Sequence, residues 1–172
     1  AAFEAVKHIA HHELSREAID RIARIAGSGA ALHNRAAATG VLGNIGNRDA
    51  ALTVLIDLLA APDQHEAVRG FAAEGIAAQR PALRTKLRKK AQDVLMEALR
   101  DPSPTVRFWA CYAVGQLGMK KALAVLKELK TNDGGLCPGW WYVSEEAADA
   151  VEWIHGRAGE ARVPVHERTS GN

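Results

Sequence analysis

Between residues 101 and 130 the chain twice alternates an apolar stripe with a short polar break. Val106, Ala110, Ala113, Val114 and Leu117 recur at intervals of three and four, which places them on one face of an α-helix. Ser103 suits the cap of that helix, Pro104 its first turn, and Gly118 its end. A second stripe, Leu123, Leu126 and Leu129, predicts a helix over 120–130. The unit is a helix–turn–helix pair.

The same pattern returns along the chain. In 34–59, Arg35, Ala38, Leu42, Gly43, Ile45 and Gly46 match Arg107, Ala110, Val114, Gly115, Leu117 and Gly118 without a gap. After one extra residue, Ala50 and Leu55 match Ala122 and Leu126. In 66–78, Val68, Arg69, Ala72 and Ile76 match the first helix alone, and the glycine pair is replaced by Ala77 and Arg80. A partial fourth copy runs over 144–156 without the arginine. Arg35, Arg69 and Arg107 follow one another at intervals of 34 and 38 residues, a period that marks a solenoid of stacked supersecondary units. Gly43 and Gly115 hold equivalent places inside their helices. An interior glycine costs about 1 kcal/mol relative to alanine, which is tolerable where removing Cβ lets a neighbouring helix approach. Both glycines are therefore expected at packing contacts.

The pattern resembles the HEAT family, and in particular the short bacterial HEAT-like repeats first named from phycobilisome lyases. Asp101, Pro102, Val106, Arg107, Ala110, Ala113, Gly115, Leu117 and Gly118 carry the likeness, which extends over about 34–156. The resemblance implies an all-α, right-handed solenoid of stacked antiparallel helix pairs, about four repeats long. It also implies that the repeat arginines Arg35, Arg69 and Arg107 are structural, bridging successive repeats, and that second helices line a concave groove.

The expected organisation is one solenoid domain over 1–156. It comprises a divergent helix pair at 1–29, repeats at 30–62, 63–100 and 101–130, and a capping helix at 144–156. Residues 79–100 read as a lengthened second helix with Leu83, Leu87, Ala91, Val94, Leu95 and Ala98 buried. Residues 131–143 read as a long loop and 157–172 as a flexible tail.

Composition adds little that is specific. Hydrophobic residues make up 48% and aromatics only 5%, which fits closely packed, alanine-rich helices. A net charge of +2 is too weak to mark a nucleic-acid binder by itself. No apolar run reaches the ~18 residues of a membrane span, and no signal peptide is visible. Cys111 and Cys137 fit no metal spacing and read as free thiols of a reducing cytosol. The protein is therefore expected to be cytoplasmic.

Candidate chemistry is sparse. The resemblance raises deoxyhypusine hydroxylase, a HEAT-like enzyme whose His-Glu pairs bind iron just after the repeat arginine. The matching positions here are Ala36-Ala37, Gly70-Phe71 and Phe108-Trp109, none of which binds a metal. His8, His11 and His12 share one side of a helix but have no clear partner on another. No catalytic constellation and no cofactor site emerges.

Two features read as partner-binding. Arg84, Arg88, Lys89 and Lys90 on one second helix, with Lys127 and Lys130 on the next, would form a basic stripe in the groove. Trp140, Trp141 and Tyr142 stand together in the long loop, and adjacent aromatics cannot all enter one core. The expected function is non-enzymatic protein binding, with an acidic surface as partner and toxin neutralisation by an immunity protein as one form of it. Nucleic acid is the weaker alternative, because no aromatics interleave with the basic residues for base stacking. A HEAT-like enzyme, bilin-lyase-like or DNA-glycosylase-like, is the other.

Overall fold

The computed structural model describes residues 15–45, 49–80, 87–160 and 162–168. Among them lie eight α-helices: α1 Arg16–Gly27, α2 Leu32–Asn44, α3 Asp49–Ala60, α4 Glu66–Ala78, α5 Arg88–Ala98, α6 Pro104–Gln116, α7 Leu123–Asn132 and α8 Val143–Ile154. No strand occurs among the described residues; the one β-like feature is an isolated bridge between Leu136 and Tyr142. Of the helix pair expected at 1–29, residues 1–14 lie outside the described residues.

Local chemistry sets the helix ends. The Ser15 hydroxyl accepts from the Ala18 N–H at 3.2 Å, and the His65 ring nitrogen accepts from the Ala67 N–H at 3.1 Å, each satisfying an orphan donor. Pro104 opens α6 at a position where no N–H is needed. Gly118 closes it with φ +61°. Two crossed bonds complete a Schellman motif there: Met119 N–H to Val114 O at 2.9 Å and Gly118 N–H to Gly115 O at 3.0 Å. Ser103 stands at the cap position, yet its hydroxyl donates to Glu66 on α4 instead of capping α6.

The helices stack in chain order as two layers. The first helices of the pairs, α2, α4, α6 and α8, pack against one another in sequence; α1, α3 and α5 form the opposite layer, each resting on the next first helix. The core between the layers is aliphatic and alanine-rich, with Leu42, Leu52, Leu55, Ile56, Leu59, Ile76, Leu95, Leu99 and Leu126 fully buried. Small residues bring the first helices together. A Cβ on Gly43 of α2 would lie 2.7 Å from the Cα of Gly75 on α4, and one on Gly115 of α6 would lie 2.8 Å from the Cα of Ala150 on α8.

The repeat arginines tie the stack along its edge. Arg35 donates to the Ala26 carbonyl and to Gln64. Arg69 donates to the Leu59 carbonyl and pairs with Asp101. Arg107 holds Asp133 through two hydrogen bonds, at 2.6 and 2.9 Å, and donates to the Asp101 carbonyl at 2.7 Å.

Two expectations change. The second helix expected over 79–100 is described as a helix from Arg88 only, and Leu83 lies outside the described residues. Gln79 belongs to the end of α4: it is buried, and its amide donates to the Leu42 and Gly43 carbonyls at 3.1 Å, satisfying the open end of α2. The second change is at the C-terminal end. Instead of a loose tail, residues 157–160 and 162–168 run against α8. Arg162 donates to both oxygens of the buried Asp149 at 2.6 and 3.0 Å, and Arg168 donates twice to Glu145 at 3.0 Å. Asp149 and Glu145 lose water on packing, and this segment supplies their cations.

Candidate functional site

A chain of aromatic contacts crosses the outer surface of the first-helix layer. Phe71 of α4 stacks on Trp109 of α6 with ring centres 6.5 Å apart. Trp109 meets Tyr112 edge-on at 5.6 Å, and Tyr112 meets Trp153 of α8 at 5.8 Å. From the loop after α7, Trp140 reaches Trp109 at 5.4 Å and Phe108 at 6.2 Å. Gly70 makes room for this arrangement, since a Cβ there would sit 2.6 Å from the Trp109 ring.

The three adjacent aromatics of the loop divide their roles. Trp141 turns inward, packs edge-on against Phe108 at 5.7 Å, and donates its indole N–H to Glu146 at 2.8 Å. Trp140 keeps 40% of its surface exposed and Tyr142 38%, next to Leu136 at 41%. The loop is nonetheless held. Cys137 N–H bonds the Trp141 carbonyl at 3.2 Å, and Val165 N–H bonds the Trp140 carbonyl at 2.8 Å. Trp140 and Tyr142 are thus exposed on a fixed backbone, which lowers the ordering cost of using them as anchors.

Two carboxylates accompany the aromatics. Glu74, one turn beyond Phe71 on α4, is half-buried, and burial raises its pKa above the ordinary carboxylate value. Burial, followed by the charge of Glu74, raises the Tyr112 hydroxyl as well. Glu146 on α8 is 1% exposed, and its Oε1 has no hydrogen-bond partner among the described residues. Burial pushes it up to about 7; the Trp141 hydrogen bond opposes this, Asp149 reinforces it, and Arg162 opposes it.

The basic stripe is interrupted by acids. Lys89 pairs with Asp93 at 2.5 Å, Lys90 with Asp57 on α3 at 3.1 Å, and Lys121 with Asp93 at 3.5 Å. Arg88, Lys127 and Lys130 are exposed and form no ion pair among the described residues. Arg84 lies outside the described residues, as do His8, His11 and His12.

Sequence reasoning singled out the Trp140–Tyr142 loop but missed the surface it joins. The signal was present: Phe71 and Trp109 each follow a repeat arginine by two residues, and so occupy one register. Trp153 carried no such mark, because the fourth copy lacks the arginine. Gly70 and Gly75 were missed for a related reason. Their contacts are made between helices, and the equivalent places in the next repeat are Phe108 and Ala113.

Other chemistry is limited. Cys111 and Cys137 are free and buried. Burial raises both thiols, that of Cys137 to about 12, which leaves them protonated and unreactive. Among the described residues, no group of three or more His, Cys, Asp or Glu is placed to hold a metal ion. No described helix is long and apolar enough to cross a membrane. A shallow, open depression lies beside the Arg107–Asp133 pair, lined also by Glu128, Leu129 and Asn132.

Residues 55–136 match the family described as HEAT repeats. The match runs from α3 through α7 and into the following loop, so this stretch belongs to that family. HEAT repeats generally serve protein–protein interaction or scaffolding. Among curated proteins and solved structures, none matches the chain.

Proposed function

We propose that this chain, whose residues 55–136 are HEAT repeats, is a non-enzymatic protein-binding module that meets its partner on the aromatic surface of α4, α6, α8 and the Trp140–Tyr142 loop. The observation that carries this reading is the exposure of Trp140 and Tyr142 on a loop held by its own hydrogen bonds and continuous with Phe71, Trp109 and Tyr112. Tryptophan and tyrosine supply most anchoring energy in interfaces, because they bury large area with few rotatable bonds. A scattered set of exposed aromatics would need no explanation; a connected set across three stacked helices does.

A second reading keeps the basic residues as the contact for an acidic partner. It rests on Arg88, Lys127 and Lys130, the three described stripe cations that have no described acid in ion-pair range. Its expected signature is different. Rim charges act on encounter rate and lose their effect in salt, whereas desolvated aromatics act on dissociation.

The test uses affinity capture from native cell extract. Wild type, Trp140→Ala/Tyr142→Ala and Arg88→Glu/Lys127→Glu are compared at low and high salt. The aromatic reading expects the double alanine variant to lose a partner that wild type and the charge-reversed variant retain. Loss only on charge reversal, and only at low salt, would move the site to the second helices. Retention by all three would remove both surfaces.

A further inference from the structure

Glu74 stands at the outer side of the aromatic surface, and its surroundings are unusual. It is half-buried, one turn from Phe71 on its own helix and beside Tyr112 of α6. No described lysine, arginine or histidine forms an ion pair with it, and no described residue hydrogen-bonds its carboxylate. A half-buried carboxylate left without a cation of its own chain keeps its hydrogen-bonding capacity for a cation from outside.

Space for that cation lies toward α2. Ala37 and Gly40 each follow Arg35 at the distance by which Phe71 and Glu74 follow Arg69, so α2 offers only small residues where α4 offers a ring and an acid. A Cβ at Gly40 would meet nothing within 4 Å, so the surface beside it is open. On the far side, Trp109 and Tyr112 of α6 occupy the same two register positions. The result is an acid flanked by an empty step on one side and aromatic rings on the other.

We propose that this notch seats a basic side chain, lysine or arginine, of the partner protein, with Glu74 as counter-ion and the rings of Phe71, Trp109 and Tyr112 as its walls. The inference rests on the protein-binding reading above and names the chemistry the partner presents. The complementarity is of charge and of shape. A guanidinium or ammonium is held by a carboxylate through charge-assisted hydrogen bonds, and its flat or methylene surface lies against aromatic faces, which attract cations within about 6 Å. An anionic partner would be repelled at this point.

The probe is an acetylated, amidated peptide of alternating glycine and arginine, with a counterpart carrying citrulline, which keeps the shape and removes the charge. Binding is followed by tryptophan fluorescence, with Trp109 and Trp140 as reporters. The arginine peptide is expected to bind wild type saturably, and at least about tenfold more tightly than the citrulline peptide. Glu74→Gln should weaken the arginine peptide at least about tenfold and leave the helical circular-dichroism spectrum unchanged. Gly40→Met fills the open step from a different helix and should cause a similar loss without lowering the melting temperature. Absence of saturable binding, equal binding of the two peptides, or Glu74→Gln within about twofold of wild type would overturn the proposal. The two readings fail separately. Peptide binding that ignores Glu74 removes the cation subsite and leaves a partner lost by Trp140→Ala/Tyr142→Ala in place. A partner retained by that variant removes the surface reading, while Glu74-dependent peptide binding would stand.

Discussion

Gly43 of α2 and Gly75 of α4 meet backbone to backbone: a Cβ on Gly43 would lie 2.7 Å from the Gly75 Cα, and one on Gly75 would lie 3.0 Å from the Gly43 Cα. The glycine-to-glycine contact cannot relax by turning a side chain, because both partners are main chain; at Gly75 the Leu55 side chain also lies at 3.0 Å. The approach sets the spacing of α2 and α4 in the first-helix layer, as Gly70 against the Trp109 ring does between α4 and α6.

Gly43 and Gly40 therefore respond in opposite directions to the same substitution. Gly40→Ala, where a Cβ meets nothing within 4 Å, should stabilise by up to about 1 kcal/mol through helix propensity. Gly43→Ala gains the same propensity but forces two helices apart, for a net loss of about 1–2 kcal/mol. Denaturant midpoints of the two variants test this; a shared sign would show that α2 and α4 do not approach there.

Arg107 and Asp133 connect α6 to the end of α7. Burial alone would raise the Asp133 carboxyl, but the Arg107 hydrogen bond and the Gly135 N–H hold it below its ordinary value of 3.8. A lowered folded pKa gives stability that is present above 3.8 and lost as pH falls through the folded value. Asp133→Asn should cost about 2–3 kcal/mol at pH 7, because it leaves a mostly buried arginine short of its counter-ion. The difference from wild type should shrink in acid. Equal stability of the two proteins at pH 7 would show that the pair contributes nothing.

Glu146 predicts the reverse pH dependence. Its pKa rises from the ordinary 4.5 to about 7 on folding, so the folded state holds the proton more tightly. Stability is then full below 4.5 and declines as pH rises toward about 7. Glu146→Gln, neutral at every pH and still able to accept from Trp141, should match wild type near pH 4.5. At pH 8 it should be more stable by up to about 3 kcal/mol. Chemical denaturation at the two pH values reads this directly, and a Glu146→Gln variant that is less stable at pH 8 would contradict it.

The fold was legible where one signal repeated. Arg35, Arg69 and Arg107 with their flanking alanines placed the first helices, and Gly118 marked an end that the chain takes up with positive φ. Features made between elements were less legible. Gly75 matches Gly43 through a contact, not through sequence register. Residues 157–172 read as a flexible tail because Asp149 and Glu145, which Arg162 and Arg168 meet, lie in another segment. Part of the pairing along the basic stripe was hidden for the same reason. Asp57 comes from α3, and only the stack brings it to Lys90, as it brings Asp93 to Lys121; the Lys89–Asp93 pair lies one turn apart on α5 and is visible in the sequence itself. Within the aromatic surface, the loop residues were legible because three rings stood side by side, whereas Phe71, Trp109, Tyr112 and Trp153 are spread over more than eighty residues of chain.

The central claim is that a partner protein sits on the aromatic surface of the first helices. Site-specific photo-crosslinking tests it most directly. A photoreactive phenylalanine analogue replaces Tyr142 in one variant and Lys127 in another, and each is irradiated in native cell extract. The account predicts a discrete covalent adduct from position 142 that is lost when Trp140 is also changed to alanine, and none from position 127. An adduct from position 127 alone, or one from 142 that persists without Trp140, would contradict it.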